Sequence, residues 1–198
     1  MDCLDEPIAD SAILPTFLLA RFARRTVKVV LSGEGADEIF AGYNRHKAAY
    51  LSERVLRLPS WGQGIAAAVA RRLGKGRVYE GIPYSGAAQW ASQNAHCGPA
   101  AAKEICRPDF WVRPSRLAPP DWLKDFEAPH SLAAALAFDL RTVLCDALLM
   151  KVDKATMAAS LEARVPFLDR RLVEYALQLP ASFQVRMFKG KYLLRTVA

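Results

Sequence analysis

The run VKVVLSGEGADEIFAGY, from Val27 to Tyr43, constrains the fold of this chain more than any other part of its sequence. An apolar, β-branched stretch ends at Ser32, two glycines follow, and an amphipathic helix then begins with Asp37 and Glu38 in its first turn. Glycine lets backbone N–H groups approach a ligand closely, and a helix N-terminus attracts anions. The pattern therefore predicts a strand, a ligand-binding turn and a helix in succession.

The acidic side chains of this turn, Glu34, Asp37 and Glu38, restrict what it could bind. Three carboxylates would repel a bare phosphate, whereas Mg²⁺ bridges carboxylate and phosphate oxygens. The turn therefore favours a metal-bound phosphate. Taken without further context, the motif is equally compatible with a glycine-rich strand-to-helix connection that has a solvated acidic first turn.

Length and composition are those of one globular domain. The chain has 198 residues, of which 52% are hydrophobic, and this content is ample for a packed core. Lys and Arg number 27 against 20 Asp and Glu, but these basic residues are scattered, which disfavours a nucleic-acid partner. No apolar run reaches the ~20 residues that a membrane-spanning helix needs. We expect a soluble domain.

The four cysteines, Cys3, Cys97, Cys106 and Cys145, show no CxxC spacing, and no secretory signal precedes them. This usage is typical of reduced thiols in a cytoplasmic protein. His96 precedes Cys97, but the paired spacings of a zinc site are absent, so buried or surface thiols are the favoured interpretation.

Helical periodicity dominates the rest of the chain. Helices are predicted over residues 11–25, with Asp10 or Ser11 as the cap, over residues 131–161 as one long helix or two in succession, over residues 169–179 with Asp169 as the cap, and from residue 189 onwards. The helix that begins with Asp37 and Glu38 in its first turn is predicted to continue past Tyr43 to about Leu56. The nearly continuous apolar character of Val27 to Leu31 predicts a strand covered on both faces in a parallel sheet. One strand cannot form a sheet, so either weak strands are hidden in the sequence or its partners lie outside this chain, in a truncated domain.

Three common nucleotide-binding and hydrolase motifs are absent. The sequence has no P-loop, and Gly33-Glu34-Gly35 is only half of a dinucleotide fingerprint because Glu38 replaces the third glycine. Ser32 follows a strand as a hydrolase nucleophile would, but Val30 stands where the nucleophile elbow requires glycine.

Four sequence blocks together resemble the C-terminal part of the synthetase domain of the asparagine synthase family. They are LDEPIADSAILPTFLLA at residues 4–20, VVLSGEGADEIFAGY at 29–43, LLMKVDKATMAASLEARVPFLDRRLVEYA at 148–176 and KGKYLLR at 189–195. The resemblance implies an α/β fold with a Rossmann-like parallel sheet, of the adenine nucleotide alpha-hydrolase type, of which this fragment would be the mostly helical part with few strands. Residues 1–198 would then be a partial synthetase domain with three regions, 1–56, 57–130 and 131–198.

The reaction that the resemblance implies uses ATP and Mg²⁺. Aspartate is joined to AMP with release of pyrophosphate, and ammonia then displaces AMP to give asparagine. The ammonia would come from glutamine through a glutaminase domain that is not in this chain. A homodimer of the complete protein is compatible with the resemblance, and neither membrane nor nucleic acid is expected as a partner.

Site residues are carried over position by position. Ser32, Gly33 and Gly35 resemble the turn that contacts the acyl-adenylate through backbone groups. Glu34 matches the acid that takes a proton as ammonia attacks, a suitable role because the nitrogen becomes strongly acidic once it is bonded to carbon. Both roles follow from the resemblance.

Asp37 and Lys191 complete the expected site. Asp37 matches a residue that meets the Mg²⁺-pyrophosphate unit and is the expected metal ligand. Lys191 resembles the lysine that neutralises charge on the phosphates. Structural roles are favoured for several other charged residues of the matching blocks, which are Lys151, Asp153, Lys154, Glu162, Arg164 and Asp169. Among them, an ion pair between Arg164 and a carboxylate is expected to hold the segment EARVPFLD.

The sequence departs from the family pattern in one respect that bears on activity. The family's ATP-binding turn, Ser-Gly-Gly-x-Asp-Ser, does not occur in it and is expected upstream, as is the glutaminase domain, for whose catalytic cysteine Cys3 is no substitute. We therefore expect the isolated chain to lack appreciable synthetase activity. Three alternatives stay open: a related amidotransferase or cyclase acting on another carboxylate, such as a β-lactam synthetase, a lasso-peptide cyclase or an exopolysaccharide-cluster amidotransferase; a non-catalytic binding module; and a basic nucleic-acid binder.

Overall fold

The structure is a computed structural model that describes residues 8, 10–72, 104–107, 131–187 and 189–198. Its helices are α1 (Ile13–Ala23), α2 (Ala36–Ile39), α3 (Asn44–Val55), α4 (Ser60–Arg72), α5 (Leu132–Arg141), α6 (Met150–Met157), α7 (Arg170–Gln178), α8 (Ala181–Gln184) and α9 (Tyr192–Val197). A π-helix (Val143–Leu149), a 3₁₀-helix (Pro166–Leu168) and two strands, β1 (Val29–Leu31) and β2 (Glu162–Arg164), complete the described elements. The sequence interpretations of Cys3, His96 and Cys97 fall outside these residues.

The two strands form a parallel pair, with Val29 opposite Glu162 and Leu31 opposite Arg164. The pairing continues past β1, because the Ser32 N–H donates to the Arg164 carbonyl at 2.8 Å. A parallel strand was predicted here and is confirmed, and its partner is a weak strand that the sequence analysis did not recognise. The described residues therefore form a mostly helical α/β fragment with a small parallel sheet.

Strand β1 is less covered than its composition suggested. It is shorter than the predicted range of residues 27–31, and the side chains of Val29 and Leu31 are 38% and 74% exposed. The prediction of a strand covered on both faces is therefore wrong for the described residues. A continuous apolar sequence is typical of a strand that is buried in a complete parallel sheet, and the described residues include only one neighbouring strand for β1.

Contacts divide the chain into two compact units. The first comprises Met1–Lys47 and Leu136–Ala198, and the second comprises Ala48–Ala135. Both strands belong to the first unit. In the second unit, α4 carries Trp61, Ile65 and Val69 at four-residue spacing, and all three side chains are more than half exposed.

The glycine-free stretch predicted as one long helix or two in succession forms α5 and α6 with a π-helix between them. Where α5 ends, the Thr142 hydroxyl donates to the Phe138 carbonyl at 2.8 Å, and Thr142 leaves the helical region with φ −118°. Side-chain bonds of this kind bend helices, and π-turns insert one extra residue. The stretch is therefore divided into two α-helices joined by a π-helix, although no Pro or Gly separates them.

The predicted cap is present at the start of α7, whereas the N-cap position of α1 is held by Ala12 and not by Asp10 or Ser11, so that prediction is wrong. The Asp169 carboxylate accepts the Arg171 N–H at 3.0 Å at the start of α7. The Arg171 side chain and this N–H lower the pKa of Asp169, since both stabilise its ionised form. The Asp10 carboxylate accepts the Ala12 N–H at 2.9 Å just before α1.

Helix α2 lasts only four residues and ends in a Schellman motif. The Gly42 N–H donates to the Asp37 carbonyl at 2.9 Å, and Ala41 lies between them in the left-handed region with φ 56°. The prediction of one helix that continues past Tyr43 to about Leu56 is therefore wrong, and the break carries no sequence signal because alanine stands where glycine is usual. The chain therefore turns sharply over residues 40–43 before α3 begins.

This turn rests on an apolar core. Ile39, Phe40 and Ala176 are buried, and the Phe40 ring meets the Phe167 ring edge-on at 6.5 Å between centroids. Side chains of α7 and α9 pack around them, including Leu172 and Leu193 among others. The helices that follow β2 thus fix the position of α2.

Two observations concern the predicted environment of the protein. Within the described ranges, no helix is both long and apolar enough to cross a membrane. Cys106 and Cys145 are free thiols on the surface.

Candidate functional site

The glycine-containing turn leaves the carboxyl end of β1, the edge of a parallel sheet at which ligands usually bind. The Glu34 N–H donates to the Ser32 hydroxyl oxygen at 3.4 Å, which bends the chain back on itself. A side chain at Gly33 would meet no atom within 4 Å, so open space adjoins the backbone there. Such space is what a turn that contacts a ligand through its backbone requires.

Gly35 has a structural reason to be glycine. Its φ is +88°, which L side chains rarely adopt, and a Cβ atom would overlap the Leu168 side chain of the 3₁₀-helix. The residue therefore brings the start of α2 against the segment that follows β2. Its predicted contact with a nucleotide stays a prediction.

The three acidic side chains of the turn have three different surroundings. Glu38 is 1% exposed and accepts a hydrogen bond from the Tyr43 hydroxyl at 2.5 Å. Asp37 is partly exposed and forms an ion pair, and Glu34 is partly buried. The acids therefore do not form one metal-binding cage, and Glu38 has a structural partner of its own.

Asp37 and Lys191, which sequence resemblance alone had connected, lie together in the structure. The Lys191 ammonium is 3.0 Å from the Asp37 carboxylate, and about a quarter of the lysine side chain and a third of the aspartate side chain are exposed. A side chain at Gly42 would overlap both. The Lys191 N–H also donates to the Phe40 carbonyl at 2.9 Å, so backbone and side chain both fix the lysine beside α2.

The carboxyl group of Glu34 is shifted towards its neutral form. Burial raises its pKa most, and the nearby negative charges of Glu38, Asp37 and Asp10 raise it further, while the positive charge of Lys151 lowers it. A carboxylate with a raised pKa is a better proton acceptor than one in water. This is the property that the predicted role of Glu34 requires.

Lys151 and Asp10 belong to the surroundings of Glu34, whereas the sequence favoured a structural role for Lys151. The Lys151 ammonium is 2.7 Å from the Asp10 carboxylate, and the lysine side chain is only 9% exposed. The pair joins the start of α1 to α6, helices that pack against each other. A lysine in the middle of a helical block offers no sequence signal for such a role.

The predicted ion pair of Arg164 is present, but it is exposed. Arg164 Nε lies 2.6 Å from Glu162 Oε1, and both side chains are more than half exposed. These residues are two apart on β2 and so share one face of the strand. An exposed pair of this kind contributes little to stability, and the segment is held by strand pairing instead.

The acidic side chains of the candidate site can be compared with the ligands that Mg²⁺ takes in nucleotide-binding proteins. Among the residues that the structure describes, no three His, Cys, Asp or Glu side chains are grouped as a metal cage would require. Mg²⁺ bound to a nucleotide uses one or two carboxylates, with substrate phosphates and water supplying its other ligands. The partly exposed Asp37 carboxylate fits that arrangement.

Comparison with known proteins identifies the family. The asparagine synthase family model matches residues 1–198, so the chain belongs to the asparagine synthase family. A provisionally named asparagine synthetase (glutamine-hydrolyzing) from Mycobacterium tuberculosis H37Rv is 36% identical over 204 residues, which cover 97% of this chain and 30% of that protein. Asparagine synthetase (glutamine-hydrolyzing) 1 of Bacillus subtilis is 30% identical over 98% of this chain and 31% of its own length.

A relative with a different name also matches. The amidase chyE of Penicillium rubens is 28% identical over 85% of this chain and 29% of its own length. The chain thus spans about 30% of the length of the curated relatives that it matches along most of its length. No solved structure matches the chain with significance.

Proposed function

We propose that this chain contributes part of the synthetase site of a glutamine-dependent asparagine synthetase. In the proposed reaction, the aspartate side-chain carboxylate attacks the α-phosphorus of ATP and releases pyrophosphate, and ammonia derived from glutamine then displaces AMP to give asparagine. The observation that carries the proposal is the Asp37–Lys191 ion pair at 3.0 Å, beside an open glycine turn at the carboxyl end of a parallel strand. Family membership supports the same chemistry.

The proposed roles divide between phosphate and amine. Lys191 would neutralise negative charge as pyrophosphate leaves, and Ser32 and Gly33 would hold the acyl-adenylate through their backbone groups. Asp37 would hold Mg²⁺, which when bound neutralises charge on the phosphate oxygens. Glu34 would accept a proton from the ammonia nitrogen as the C–N bond forms, because its burial favours proton uptake.

We also propose that residues 1–198 alone do not carry out this reaction, because the sequence has no Ser-Gly-Gly-x-Asp-Ser turn to bind the ATP phosphates. The test measures pyrophosphate release from Mg-ATP with and without aspartate, for the protein in its full native length and for residues 1–198. Aspartate-dependent release by the full-length protein only is the expected result. A full-length protein that releases no pyrophosphate with aspartate would contradict the proposed substrate.

A second candidate function is amide formation on another carboxylate, because one relative that matches most of this chain is not named an asparagine synthetase. The same assay distinguishes the two when aspartate is replaced by a panel of carboxylic acids. Pyrophosphate release with another acid and none with aspartate would select this second function.

The charges around Glu34 predict opposite pH shifts in two variants. Lys151→Met removes the positive charge that lowers the Glu34 pKa, so the rise of amide formation with pH should move to higher pH. Asp10→Asn removes a negative charge that raises the same pKa, so the rise should move to lower pH. The sign follows because Glu34 must be ionised to accept a proton, and its ionised fraction grows as pH passes its pKa.

The measurement is the pH dependence of asparagine formation at saturating substrates. Both variants break the same Asp10–Lys151 ion pair, so a purely structural effect would change them alike. Shifts in the same direction would contradict the electrostatic role of this pair.

A further inference from the structure

A buried polar network links the turn to α5. The Tyr43 hydroxyl donates to Glu38, the buried acid of the turn, at 2.5 Å. Burial and this hydrogen bond raise the pKa of Tyr43, so its hydroxyl stays a donor. The guanidinium carbon of Arg45 lies 3.9 Å from the centre of the Tyr43 ring, and the His46 ring lies 5.3 Å from it. Tyr43 thus contacts Glu38 through its hydroxyl group, and Arg45 and His46 through its ring.

Arg45 and His46 also meet at the carboxylate of Asp139 in α5. Arg45 Nε lies 2.8 Å and His46 Nε2 lies 2.6 Å from the same Asp139 oxygen. The side chains of His46 and Asp139 are 0% and 2% exposed. We refer to Glu38, Tyr43, Arg45, His46 and Asp139 together as the Tyr43 network.

The network is adjacent to the turn over residues 40–43, which contacts Asp37 and Lys191. Glu38 precedes the turn, Tyr43 is its last residue, and Ala41 within it has a left-handed conformation. Its backbone groups bind the two site residues directly: the Gly42 N–H donates to the Asp37 carbonyl, and the Phe40 carbonyl accepts from the Lys191 N–H. Any movement of this turn would therefore change the distance between Asp37 and Lys191.

We propose that the Tyr43 network positions the turn over residues 40–43 and thereby holds Asp37 and Lys191 in register. Burying a carboxylate costs free energy unless it has partners. Here the Glu38 carboxylate accepts from Tyr43 and the Asp139 carboxylate meets Arg45 and His46, while Arg45 Nη2 and His46 Nδ1 are buried without a partner of their own. The buried charges thus specify one conformation of a segment whose left-handed Ala41 is otherwise disfavoured. The catalytic consequence of this proposal rests on the proposed function, whereas the geometric consequence does not.

Hydrogen exchange tests the geometric consequence in the full-length protein. Tyr43→Phe removes one hydroxyl and keeps the ring, and Asp139→Asn keeps the shape and removes the charge. Each should increase the exchange rates of the Gly42 and Lys191 amides at least tenfold relative to the amide of Val173 in α7, which donates to Asp169 outside the network. Tyr175→Phe is the matched control, because Tyr175 is an exposed tyrosine of α7. Unchanged Gly42 and Lys191 exchange in both network variants would overturn the proposal.

Kinetics separate positioning from simple stabilisation. Tyr43→Phe leaves the buried Glu38 without its donor, and the double variant Glu38→Met, Tyr43→Phe replaces both partners with apolar groups, which can restore stability. Because small displacements of catalytic groups reduce rates by up to about 100-fold, we expect the single variant to lose about 10- to 100-fold in kcat for pyrophosphate release. We expect the double variant to recover the melting temperature but not kcat, and the KM for aspartate to stay within about twofold.

The outcomes distinguish this proposal from the proposed function. A double variant that regains both stability and full kcat would reduce the network to a structural role and overturn its positioning role. If the wild-type protein releases no aspartate-dependent pyrophosphate, the proposed function fails. Faster amide exchange at Gly42 and Lys191 in the network variants would then still support the proposal that the network positions the turn.

Discussion

Glu34→Gln is expected to lower asparagine formation by about 10²- to 10⁴-fold while aspartate-dependent pyrophosphate release continues. Glutamine keeps the size and polarity of the side chain but cannot accept a proton, and in the proposed reaction the proton is taken only when the amine attacks. Activation of aspartate precedes that step and does not need it. The expected result is therefore a protein that forms the adenylate and fails to convert it.

The measurement follows pyrophosphate and asparagine in the same reaction, at saturating ammonia so that glutamine hydrolysis does not limit the rate. Glu174→Gln is the matched control, because Glu174 is an exposed carboxylate of α7 that pairs only with Arg170 at the surface among the contacts described. Equal losses of pyrophosphate release and asparagine formation in Glu34→Gln would contradict the role of Glu34 in proton transfer and assign it to substrate binding.

Gly190→Ala should be the most disruptive small substitution in the described part of the chain. Gly190 is buried, and a Cβ atom would overlap the backbone carbonyl of Ala41, which cannot move aside as a flexible side chain would. Overpacking of this kind costs about 1–3 kcal/mol. It should also push Lys191 away from the Phe40 carbonyl and from Asp37, so activity should fall together with stability.

Urea unfolding of wild type and variant measures the first effect, and pyrophosphate release measures the second. Gly64→Ala is a control of opposite sign, since a Cβ atom at this position in α4 would meet no other atom within 4 Å. Removing a helical glycine there should stabilise the protein by about 0.5–1 kcal/mol. Wild-type stability in Gly190→Ala would show that the α9 segment can shift without loss.

Much of the fold could be predicted because local signals were strong. The helix over residues 11–25, the cap at Asp169 and the strand-turn-helix order around Ser32 each follow from residues that are neighbours in sequence. The parallel direction of β1 could be predicted from its apolar, β-branched composition. These features depend on backbone preferences and hydrophobic periodicity, which a sequence displays directly.

The features that were missed depend on contacts between distant residues. Strand β2 has the sequence EAR, which has no strand propensity of its own and becomes a strand because β1 lies beside it. Non-glycine residues in the left-handed region, Ala41 and Ser160, end helices without the usual glycine signal. Tertiary packing, which no local pattern reports, selects these conformations.

In the candidate site, too, some features could be predicted from the sequence and others could not. Family resemblance associated Asp37 with Lys191, and the structure places the two side chains together. The sequence shows three carboxylates in one turn, and it does not show that burial separates Glu38 from the other two. The electrostatic surroundings of Glu34 include Lys151 and Asp10, which are far apart in sequence and meet only because α1 packs on α6.

The pairing of β1 with β2 has a consequence for synthesis of the protein. Residues 29–31 leave the ribosome long before residues 162–164, so β1 and β2 cannot pair until the residues between them have been made. Parallel pairing over such a separation forms slowly, and an unpaired apolar strand is prone to associate with other chains. Nascent chains that stall before residue 162 should therefore depend on chaperones more than chains that stall after it.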